Sequence, residues 1–391
     1  MSAKPLEEQF RRNTAVSLTA IFFVLLWLPT LDLFFHMDKA PTPNENRAMA
    51  VFPAFSASLE SIRNFPGGLE AYFRDHFGFR NRLIRCERRW KHDLFQEQAS
   101  SDVIAGRAGW YFFSGDYSMD DFQGLKPFTQ ETLQRWKALL EKRRDWLAKR
   151  GIKYLFVVPP DKHTIYPEFL PSWLSNRGAT TRLDQFMDYM TAHSTVEVLD
   201  LRPALREEKK NGFVYLQTDT HWNGLGGFIT YQRLVRALTN QIPELGGPLP
   251  LSDFKVEPTK QAPGDLAKLL GLTASIIESN GITTIPIPPL KAPILKSVPE
   301  RFPKKWRPRT EPAVTEYDAP LPKAILFRDS FAGSWTWLLG YHFHEVLYIW
   351  QYNWDAAFLE REKPTVVIDE MLERFMNNDE FLKQMEADDL P

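Results

Sequence analysis

The chain has 391 residues, 43% of them hydrophobic and 25% charged, which is typical of a globular protein with one large domain or two ordinary ones. Its 48 Lys and Arg residues balance 49 Asp and Glu residues, so nothing indicates the basic face that general nucleic-acid binding requires. The single cysteine, Cys86, excludes an internal disulfide framework, a cysteine-rich zinc site and an iron–sulfur cluster, and we expect it to be a small buried hydrophobic residue.

An uncharged apolar segment near the N-terminus predicts a membrane anchor. As a helix, residues 13–31 (NTAVSLTAIFFVLLWLPTL) would extend roughly 28 Å, about the thickness of a bilayer core. Lys4, Arg11 and Arg12 precede the segment, and the positive-inside tendency then keeps the N-terminus in the cytoplasm. No small-residue cleavage site follows, so an uncleaved signal anchor is favoured over a removed signal peptide, with a buried soluble helix as the third alternative.

The segments that follow the anchor predict a linker, helices and a hairpin. Residues 40–55 are rich in proline and are predicted to be a linker leaving the membrane. Residues 57–100 repeat aromatic and aliphatic residues at helical spacing, with a break predicted at the Pro-Gly-Gly of residues 66–68. The glycine-punctuated apolar run 103–113 predicts a hairpin.

From about residue 125 the pattern alternates between helices and short apolar strands. Thr129 is expected to cap a helix that ends near Arg150, a second helix covers about 180–193, and Asn223 is expected to cap a third. The predicted strands are 154–160, 196–201, 214–219, 324–327, 345–349 and 365–369. This alternation predicts a doubly wound α/β sheet, from which the Pro- and Lys-rich residues 250–320 form an extended excursion.

These elements predict a chain of four parts. They are a cytoplasmic N-terminus (1–12), a transmembrane signal anchor (13–35), a linker with helical and hairpin segments (36–120) and an α/β domain (121–391). With one spanning segment, the bulk of the chain is expected outside the inner membrane of a bacterial cell, in the periplasm.

Two polar motifs together predict a catalytic triad. Ser330 follows the predicted strand 324–327, and ligands of open α/β sheets bind beyond the carboxyl ends of strands. A serine hydroxyl is a poor nucleophile without a base, and TDTHWNG (218–224) supplies His221 as that base and Asp219 to orient it. The alternative for Ser330 is a simple helix N-cap.

Further side chains near these motifs are candidates for the cleft. Lys162 and Tyr166 follow a strand end and are interpreted as cleft residues or as loop packing. Trp222 is interpreted either as a cleft residue or as packing beneath its loop. Asp329 is expected to fix the turn at Ser330 by bonding backbone amides.

A metal site is a less favoured alternative at the same place. His342 and His344 share one face if their segment is extended, and they would join Asp219 and His221 as ligands. We nevertheless predict that the site contains no metal and uses no cofactor.

Seven motifs occur in series along the chain. They are FRDHFGFRN (73–81), GRAGWYFF (106–113), VVPPDKHTIYPEFLP (157–171), TDTHWN (218–223), PGDLAKLL (263–270), RDSF (328–331) and PTVVIDEMLERF (364–375). In these motifs and in their order, over roughly residues 50–380, the chain resembles the SGNH hydrolase-like polysaccharide O-acetyltransferases of the AlgJ/AlgX type, which act in bacterial exopolysaccharide acetylation.

The resemblance implies an SGNH-hydrolase-like sheet with a permuted motif order, the Asp-His motif preceding the Ser motif. It implies Ser330 as the acetylated nucleophile, His221 as the base and Asp219 as the residue that orients it. Arg328 stands where the family's signature has glycine, so we expect it at the mouth of the cleft or in contact with an anionic sugar. Beyond the Ser330 amide, no oxyanion donor is identified.

The leading functional hypothesis is an O-acetyltransferase that modifies a polysaccharide acceptor. The resemblance implies that a membrane-bound O-acyltransferase supplies the acetyl group, and that other polymer-secretion subunits are partners. A carbohydrate acetylesterase would use the same triad with water as the acceptor. A non-catalytic glycan-binding subunit of a secretion complex would be favoured if Ser330 lay more than about 5 Å from the His221 ring. Alginate, cellulose and other exopolysaccharides all remain open as the polymer.

Overall fold

The structure is a computed structural model with two compact units, residues 1–100 with 268–272, and residues 101–267 with 273–391. It describes residues 4–35, 37, 50–55, 58–80, 82–83, 86, 102–174, 178, 180–272, 276–288, 290, 292–297, 302, 314–388 and 390. The boundary placed between residues 120 and 121 stays a prediction.

The first unit contains the apolar helix. Helix α1, Lys4–Phe35, includes a 21-residue span, Arg12–Asp32, with a mean hydropathy of 2.0 and no burial inside the structure. Its length and composition suffice to cross a membrane.

Helix α2, Leu59–His76, runs through Pro66, so the break predicted at residues 66–68 is wrong. Proline removes one helical hydrogen bond without necessarily ending the helix. Gly68 lies against Pro53, where a Cβ at position 68 would approach the proline Cβ to 2.9 Å.

Two further expectations fall on the first unit. Cys86 is exposed, so the expected burial of its thiol is wrong. Of the predicted linker 40–55, only residues 50–55 are described, and they form neither helix nor strand, while residues 40–49 lie outside the described part of the chain.

The second unit is built on a mixed sheet. Its strand order is β4-β3-β11-β9-β10-β8-β7 across the described residues. The strands of this sheet are β3 Lys153–Val158, β4 Val198–Asp200, β7 Ile294–Lys296, β8 Val314–Glu316, β9 Lys323–Phe327, β10 Glu345–Ile349 and β11 Val366–Glu370. The first five strands of the order are parallel, and β8 and β7 extend the sheet in antiparallel pairing.

In the described part of the chain, two hairpins lie outside this sheet. Strand β1, Val103–Ala105, pairs with β2, Tyr111–Phe113, so the hairpin predicted at 103–113 is confirmed. Strand β5, Phe254–Pro258, pairs with β6, Ile282–Pro286. The expectation that 250–320 is only an excursion is therefore wrong in part, because β7 and β8 of that region join the main sheet, where Val314 and Thr315 are buried.

Helices lie between the strands, and the predicted caps are present. Other helices of the described residues are α3 Ser118–Phe122, α4 Gln130–Ala148, α5 Lys162–Ile165, α6 Arg182–His193, α7 Arg202–Glu208, α8 Gly224–Gln241, α9 Asp265–Leu269, α10 Ala356–Glu362 and α11 Asp379–Glu386. Thr129 Oγ1 accepts the Thr132 amide at the start of α4, and Asn223 Oδ1 accepts the amides of Leu225 and Gly226 at the start of α8. Each cap satisfies helix amides that lack an intrahelical acceptor.

The sheet is buried on both faces. Leu155 and Val157 of β3 belong to one hydrophobic cluster, and their neighbours Phe156 and Val158 belong to the other. Since successive side chains of a strand point to opposite faces, helices must cover both sides of the sheet. The expected doubly wound, SGNH-like α/β architecture is confirmed. The antiparallel strands β8 and β7 extend its sheet beyond the five parallel strands.

Candidate active site

The polar motifs converge at the carboxyl edge of the parallel strands. Strand β9 ends at Phe327 between β11 and β10, and these three strands run in the same direction. Ser330 lies on the turn directly after β9, at the start of a 3₁₀ turn, Phe331–Trp335. The edge beyond parallel strand ends is where open α/β sheets bind ligands.

Asp329 fixes the turn that carries Ser330, as expected from the sequence. Its Oδ1 accepts the Phe331 amide at 2.9 Å, and its Oδ2 accepts the Leu372 amide at 2.8 Å and the Tyr352 hydroxyl at 2.9 Å. The Asp329 amide in turn donates to Glu370 at 2.7 Å. These bonds tie the turn after β9 to the end of the neighbouring strand β11.

Ser330, His221 and Asp219 form one hydrogen-bonded series. Ser330 Oγ lies 2.8 Å from His221 Nε2, and His221 Nδ1 lies 2.7 Å from Asp219 Oδ1. The Ser330 side chain makes no capping bond to the following turn, although Ser330 occupies the N-cap position. The structure therefore brings the three predicted residues together, and their catalytic roles stay a prediction.

The hydrogen bonds define the tautomer of His221. A carboxylate can only accept, so Nδ1 carries the proton that faces Asp219, and Nε2 accepts from the Ser330 hydroxyl. Burial disfavours the imidazolium, but the hydrogen bond to Asp219 and the charges of Asp219 and Asp265 outweigh it and raise the pKa of His221 above 6.5. Burial also opposes ionisation of Asp219, yet the bonds from His221 and from the Asp265 amide lower the pKa of that carboxyl below its usual value.

A second acid, Asp265, supports the loop that carries the histidine. Its carboxylate accepts the Thr220 amide at 2.8 Å and the Thr220 hydroxyl at 2.6 Å, and its own amide donates to Asp219 Oδ2 at 2.9 Å. Asp265 Oδ2 lies 3.9 Å from His221 Nδ1, close enough to stabilise a positive ring. Next to it, a Cβ at Gly264 would approach the Asp219 amide nitrogen to 2.6 Å, so this contact requires glycine.

Glu278 holds the other end of the same loop. This buried carboxylate accepts the amides of Gln217 and Thr218, at 3.0 and 2.7 Å, and the Thr218 hydroxyl at 2.7 Å. The predicted strand 214–219 is therefore wrong. Its backbone groups bond to Glu278, to a lysine and to scattered residues such as Tyr111 and His221, without forming a strand ladder. One isolated bridge, Tyr215 with Trp222, is present in this segment.

That lysine is Lys162, which is buried against the backbone of the loop and does not face an open cleft. Its ammonium donates to the carbonyl oxygens of Leu216, Gln217 and Asp219 at 3.1, 3.1 and 2.7 Å, and the side chain is 3% exposed. Three carbonyl acceptors match the three N–H groups of an ammonium. Burial lowers the pKa of Lys162 to about 7, against the charges of Asp265, Asp219 and Glu278.

Tyr166 and Trp222 are also packed beneath the loop. The Tyr166 hydroxyl accepts the Val214 amide at 2.9 Å, and its ring is almost completely buried. The Trp222 indole donates to Ser334 Oγ at 2.7 Å, and its ring packs edge-on against Phe331. Both side chains therefore pack under the loop and do not line an open cleft.

Arg328 does not line the mouth of the cleft. Its side chain is 2% exposed, and its guanidinium donates to the Asp329 carbonyl and lies 4.8 Å from the centre of the Trp350 ring. The Arg328 side chain stacks on an aromatic ring and does not point toward solvent. The expectation that it contacts an anionic sugar is therefore wrong. Trp350 directly follows β10 and is 40% exposed. Trp350, and not Arg328, is therefore the side chain that reaches solvent here.

The potential metal ligands differ from those considered in the sequence. Among the described residues, Asp219, His221 and Asp265 place one potential ligand atom each within 4.8 Å of one another. His342 is buried against the Tyr231 hydroxyl and the Leu245 carbonyl, and it does not belong to this group. The hydrogen bonds already described account for all three side chains of the group.

Sequence reasoning missed the roles of Asp265, Glu278 and Trp350. Asp265 stands in PGDLAKLL, which carried the family resemblance without a role for the acid. No local pattern marks Glu278, since the loop residues that it holds lie 60 or 61 residues away along the chain. Trp350 follows a correctly predicted strand, and its position at a strand end was the available signal.

Comparisons with known proteins relate part of this chain to a known family. Residues 103–280 match the family described as SGNH hydrolase-like domain, acetyltransferase AlgX. The probable alginate O-acetylase AlgJ of Pseudomonas syringae pv. tomato is 27% identical over 56% of this chain and 55% of that protein. The AlgJ of Pseudomonas putida is 30% identical over 46% of this chain and 44% of that protein. The chain thus spans about half the length of the curated relatives it matches.

A solved structure is similar in fold. PatB1 of Bacillus cereus, determined with a sulfonyl adduct, aligns with a TM-score of 0.52 at 13% identity, over 72% of this chain and 98% of that chain. The resemblance of this chain to the SGNH hydrolase-like acetyltransferases of the AlgJ/AlgX type is therefore confirmed, by the sequence of residues 103–280 and by the architecture of the sheet.

Proposed function

We propose that this chain is an O-acetyltransferase that moves acetyl groups onto polysaccharide hydroxyls through Ser330, His221 and Asp219. The observation that carries the proposal is the hydrogen-bonded series, with 2.8 Å from Ser330 Oγ to His221 Nε2 and 2.7 Å from His221 Nδ1 to Asp219 Oδ1. A nucleophile, a base and an acid that orients the base at these distances are the arrangement used in acyl transfer. The names of the AlgJ relatives support acetyl as the group and a polysaccharide as the acceptor.

The first half-reaction forms an acetyl-enzyme. Ser330 Oγ attacks the acetyl carbonyl carbon of the donor while its proton passes to His221 Nε2. Asp219 stabilises the imidazolium through the bond to Nδ1. The bond between the acetyl group and the donor breaks, the leaving group takes the proton from Nε2, and Ser330 retains the acetyl ester.

The second half-reaction transfers the acetyl group to the polymer. A sugar hydroxyl gives its proton to His221 Nε2 as its oxygen attacks the ester carbonyl, and the proton then returns to Ser330 Oγ as that bond breaks. The His221 side chain is 30% exposed, so a large acceptor has access to the ring. Water has the same access, and an acetylesterase would differ only in using it as the acceptor.

The location and partners belong to the same proposal. The apolar span Arg12–Asp32 would anchor the chain in the bacterial inner membrane, with the α/β unit in the periplasm. Acetyl-CoA is cytoplasmic, so a membrane-bound O-acyltransferase would deliver acetyl groups across the membrane to Ser330. Other polymer-secretion subunits would present the polysaccharide.

The test compares the full chain with Ser330→Ala in detergent. We expect wild-type protein to release the alcohol of a chromogenic acetyl ester and, when oligosaccharide is added, to place acetyl on the sugar, as detected by mass spectrometry. Ser330→Ala should do neither. Acetyl that goes only to water at saturating oligosaccharide would replace the transferase with an acetylesterase. Unchanged polymer acetylation in cells carrying Ser330→Ala would leave a non-catalytic glycan-binding subunit.

A further inference from the structure

A cavity of about 420 Å³ lies beside the helical segment that follows β11. Volumes of this order are typical of small-ligand sites. The lining residues used below are Tyr117, Lys126, Phe128, Arg182, Asn377 and Asp379. None of them takes part in the hydrogen-bonded series at Ser330.

Asn377 provides an unpaired polar group in the cavity wall. Its side chain is 7% exposed, and neither its amide nitrogen nor its amide oxygen has a hydrogen-bond partner among the described residues. Buried polar atoms without partners are rare in folded proteins because each one costs free energy. A side-chain amide offers both donors and an acceptor, which matches the hydroxyl groups of a sugar.

The same wall carries a positive charge that no acid pairs with directly. The Arg182 guanidinium donates to the carbonyl oxygens of Lys126 and Asn377, and no ion pair joins it to a described carboxylate. Asp121 accepts the Arg182 backbone amide at 2.7 Å and leaves the guanidinium available. Lys126 is paired with Asp120 at 3.0 Å, and Asp379 adds one acid to the wall. Arg182 is thus positioned to receive an anionic group.

An aromatic ring borders the opening. Tyr117 is 56% exposed, and its backbone has the left-handed φ of 57°, which is uncommon outside glycine. Lys126 Nζ lies 3.9 Å from the centre of the Tyr117 ring. An exposed ring of this kind provides an apolar surface for the C–H face of a sugar, and the strained backbone persists because its surroundings hold it.

The cavity lies on the same edge of the sheet as Ser330. The Leu372 amide bonds to Asp329, and the 3₁₀ turn Glu373–Asn377 leads from there to Asn377. At about 2 Å per residue, this turn covers roughly 10 Å. A short stretch of chain therefore joins the cavity wall at Asn377 to the turn that carries Ser330.

We propose that the cavity formed by Tyr117, Arg182 and Asn377 is a subsite that binds one acidic saccharide unit of the acceptor polymer, a few units from the hydroxyl that is acetylated. The inference rests on the proposed function for its acceptor. The Asn377 amide bonds to sugar hydroxyls, Arg182 pairs with the carboxylate of the unit, and the Tyr117 ring packs against its C–H face.

The experiment uses Asn377→Ala in the full chain, with Asn211→Ala as the matched control. Asn211 is exposed and does not line the cavity. The probes are a defined oligo-uronate and a neutral oligosaccharide of equal length, titrated by calorimetry. We expect Asn377→Ala to weaken oligo-uronate binding about five- to ten-fold, as the loss of one or two hydrogen bonds predicts. The melting temperature should not fall, because the side-chain amide has no hydrogen-bond partner among the described residues.

Three outcomes would overturn the subsite. They are unchanged oligo-uronate binding in Asn377→Ala, equal binding of the neutral oligosaccharide by wild-type protein, and a fall in melting temperature that accounts for the weaker binding. Failure of the proposed function gives a different result from failure of the subsite. If only the proposed function were wrong, Ser330→Ala would leave polymer acetylation intact, while Asn377→Ala would still weaken oligo-uronate binding.

Discussion

Asp265 provides the sharpest test of how the site works, because it stabilises the charged form of His221 without taking its proton. The carboxylate lies 3.9 Å from His221 Nδ1, and the two side chains are 40% and 30% exposed. At this exposure, Coulomb's law with the dielectric constant of water gives about 1 kcal/mol for two unit charges. Asp265→Asn removes that charge and retains the shape of the side chain, so kcat/KM for an acetyl ester should fall about five-fold.

The pH profile separates this effect from a loss of structure. His221 must be neutral to accept the Ser330 proton, and its pKa is raised above 6.5, so kcat/KM should rise with pH through a value above 6.5 in the wild type. Asp265→Asn should move that inflection to lower pH because part of the stabilising charge is lost. The assay is chromogenic ester hydrolysis over about pH 5 to 9, with the exposed Asp188→Asn as the control. An inflection that does not move, or a fall of more than about a hundred-fold, would refute an electrostatic role.

Three further substitutions test the parts of the site separately. Asp219→Asn should lower kcat/KM about 10⁴-fold, because the amide no longer fixes the His221 tautomer, and a fall smaller than ten-fold would contradict Asp219 as the orienting acid. Lys162→Met should lower the free energy of unfolding by about 2–3 kcal/mol and reduce ester hydrolysis, because three loop carbonyls lose their donor. Urea denaturation measures the change in stability, and an unchanged denaturation midpoint would contradict the role of Lys162 in holding the loop. Gly264→Ala should destabilise the protein by about 1–3 kcal/mol and impair ester hydrolysis, because the new Cβ meets the Asp219 backbone. The control Gly212→Ala, whose Cβ would meet no atom within 4 Å, should do neither. Equal melting temperatures for the two variants would disprove the close packing at Gly264.

Local patterns predicted many of the elements correctly. The caps at Thr129 and Asn223 and the strands that became β9, β10 and β11 follow from residue type and spacing over a few positions. Such signals hold because a cap satisfies amides two or three residues away, and because a continuous apolar run indicates a strand buried on both faces. The predicted break at Pro66 failed because one proline does not suffice to end a helix that its neighbours hold together.

The direction of single side chains was less predictable. Lys162, Tyr166 and Arg328 all follow or flank strand ends, where cleft residues are expected, yet all three are buried. Their partners are loop carbonyls, a loop amide and the Trp350 ring, and each partner comes from a segment whose position depends on the folded chain.

The sequence by itself determined the apolar span, the alternation of helices and strands, and the residue types that a triad requires. The tertiary structure alone decided that His221 and Ser330, 109 residues apart, lie within hydrogen-bonding distance. It also decided that Asp265 lies beside them and that Asn377, whose side-chain amide has no hydrogen-bond partner among the described residues, lines a cavity. The physical reason is the separation of the interacting residues along the chain. Caps and strands depend on near neighbours in the sequence. The edge of a parallel sheet brings together distant segments, whose order and register are set only when the strands pair.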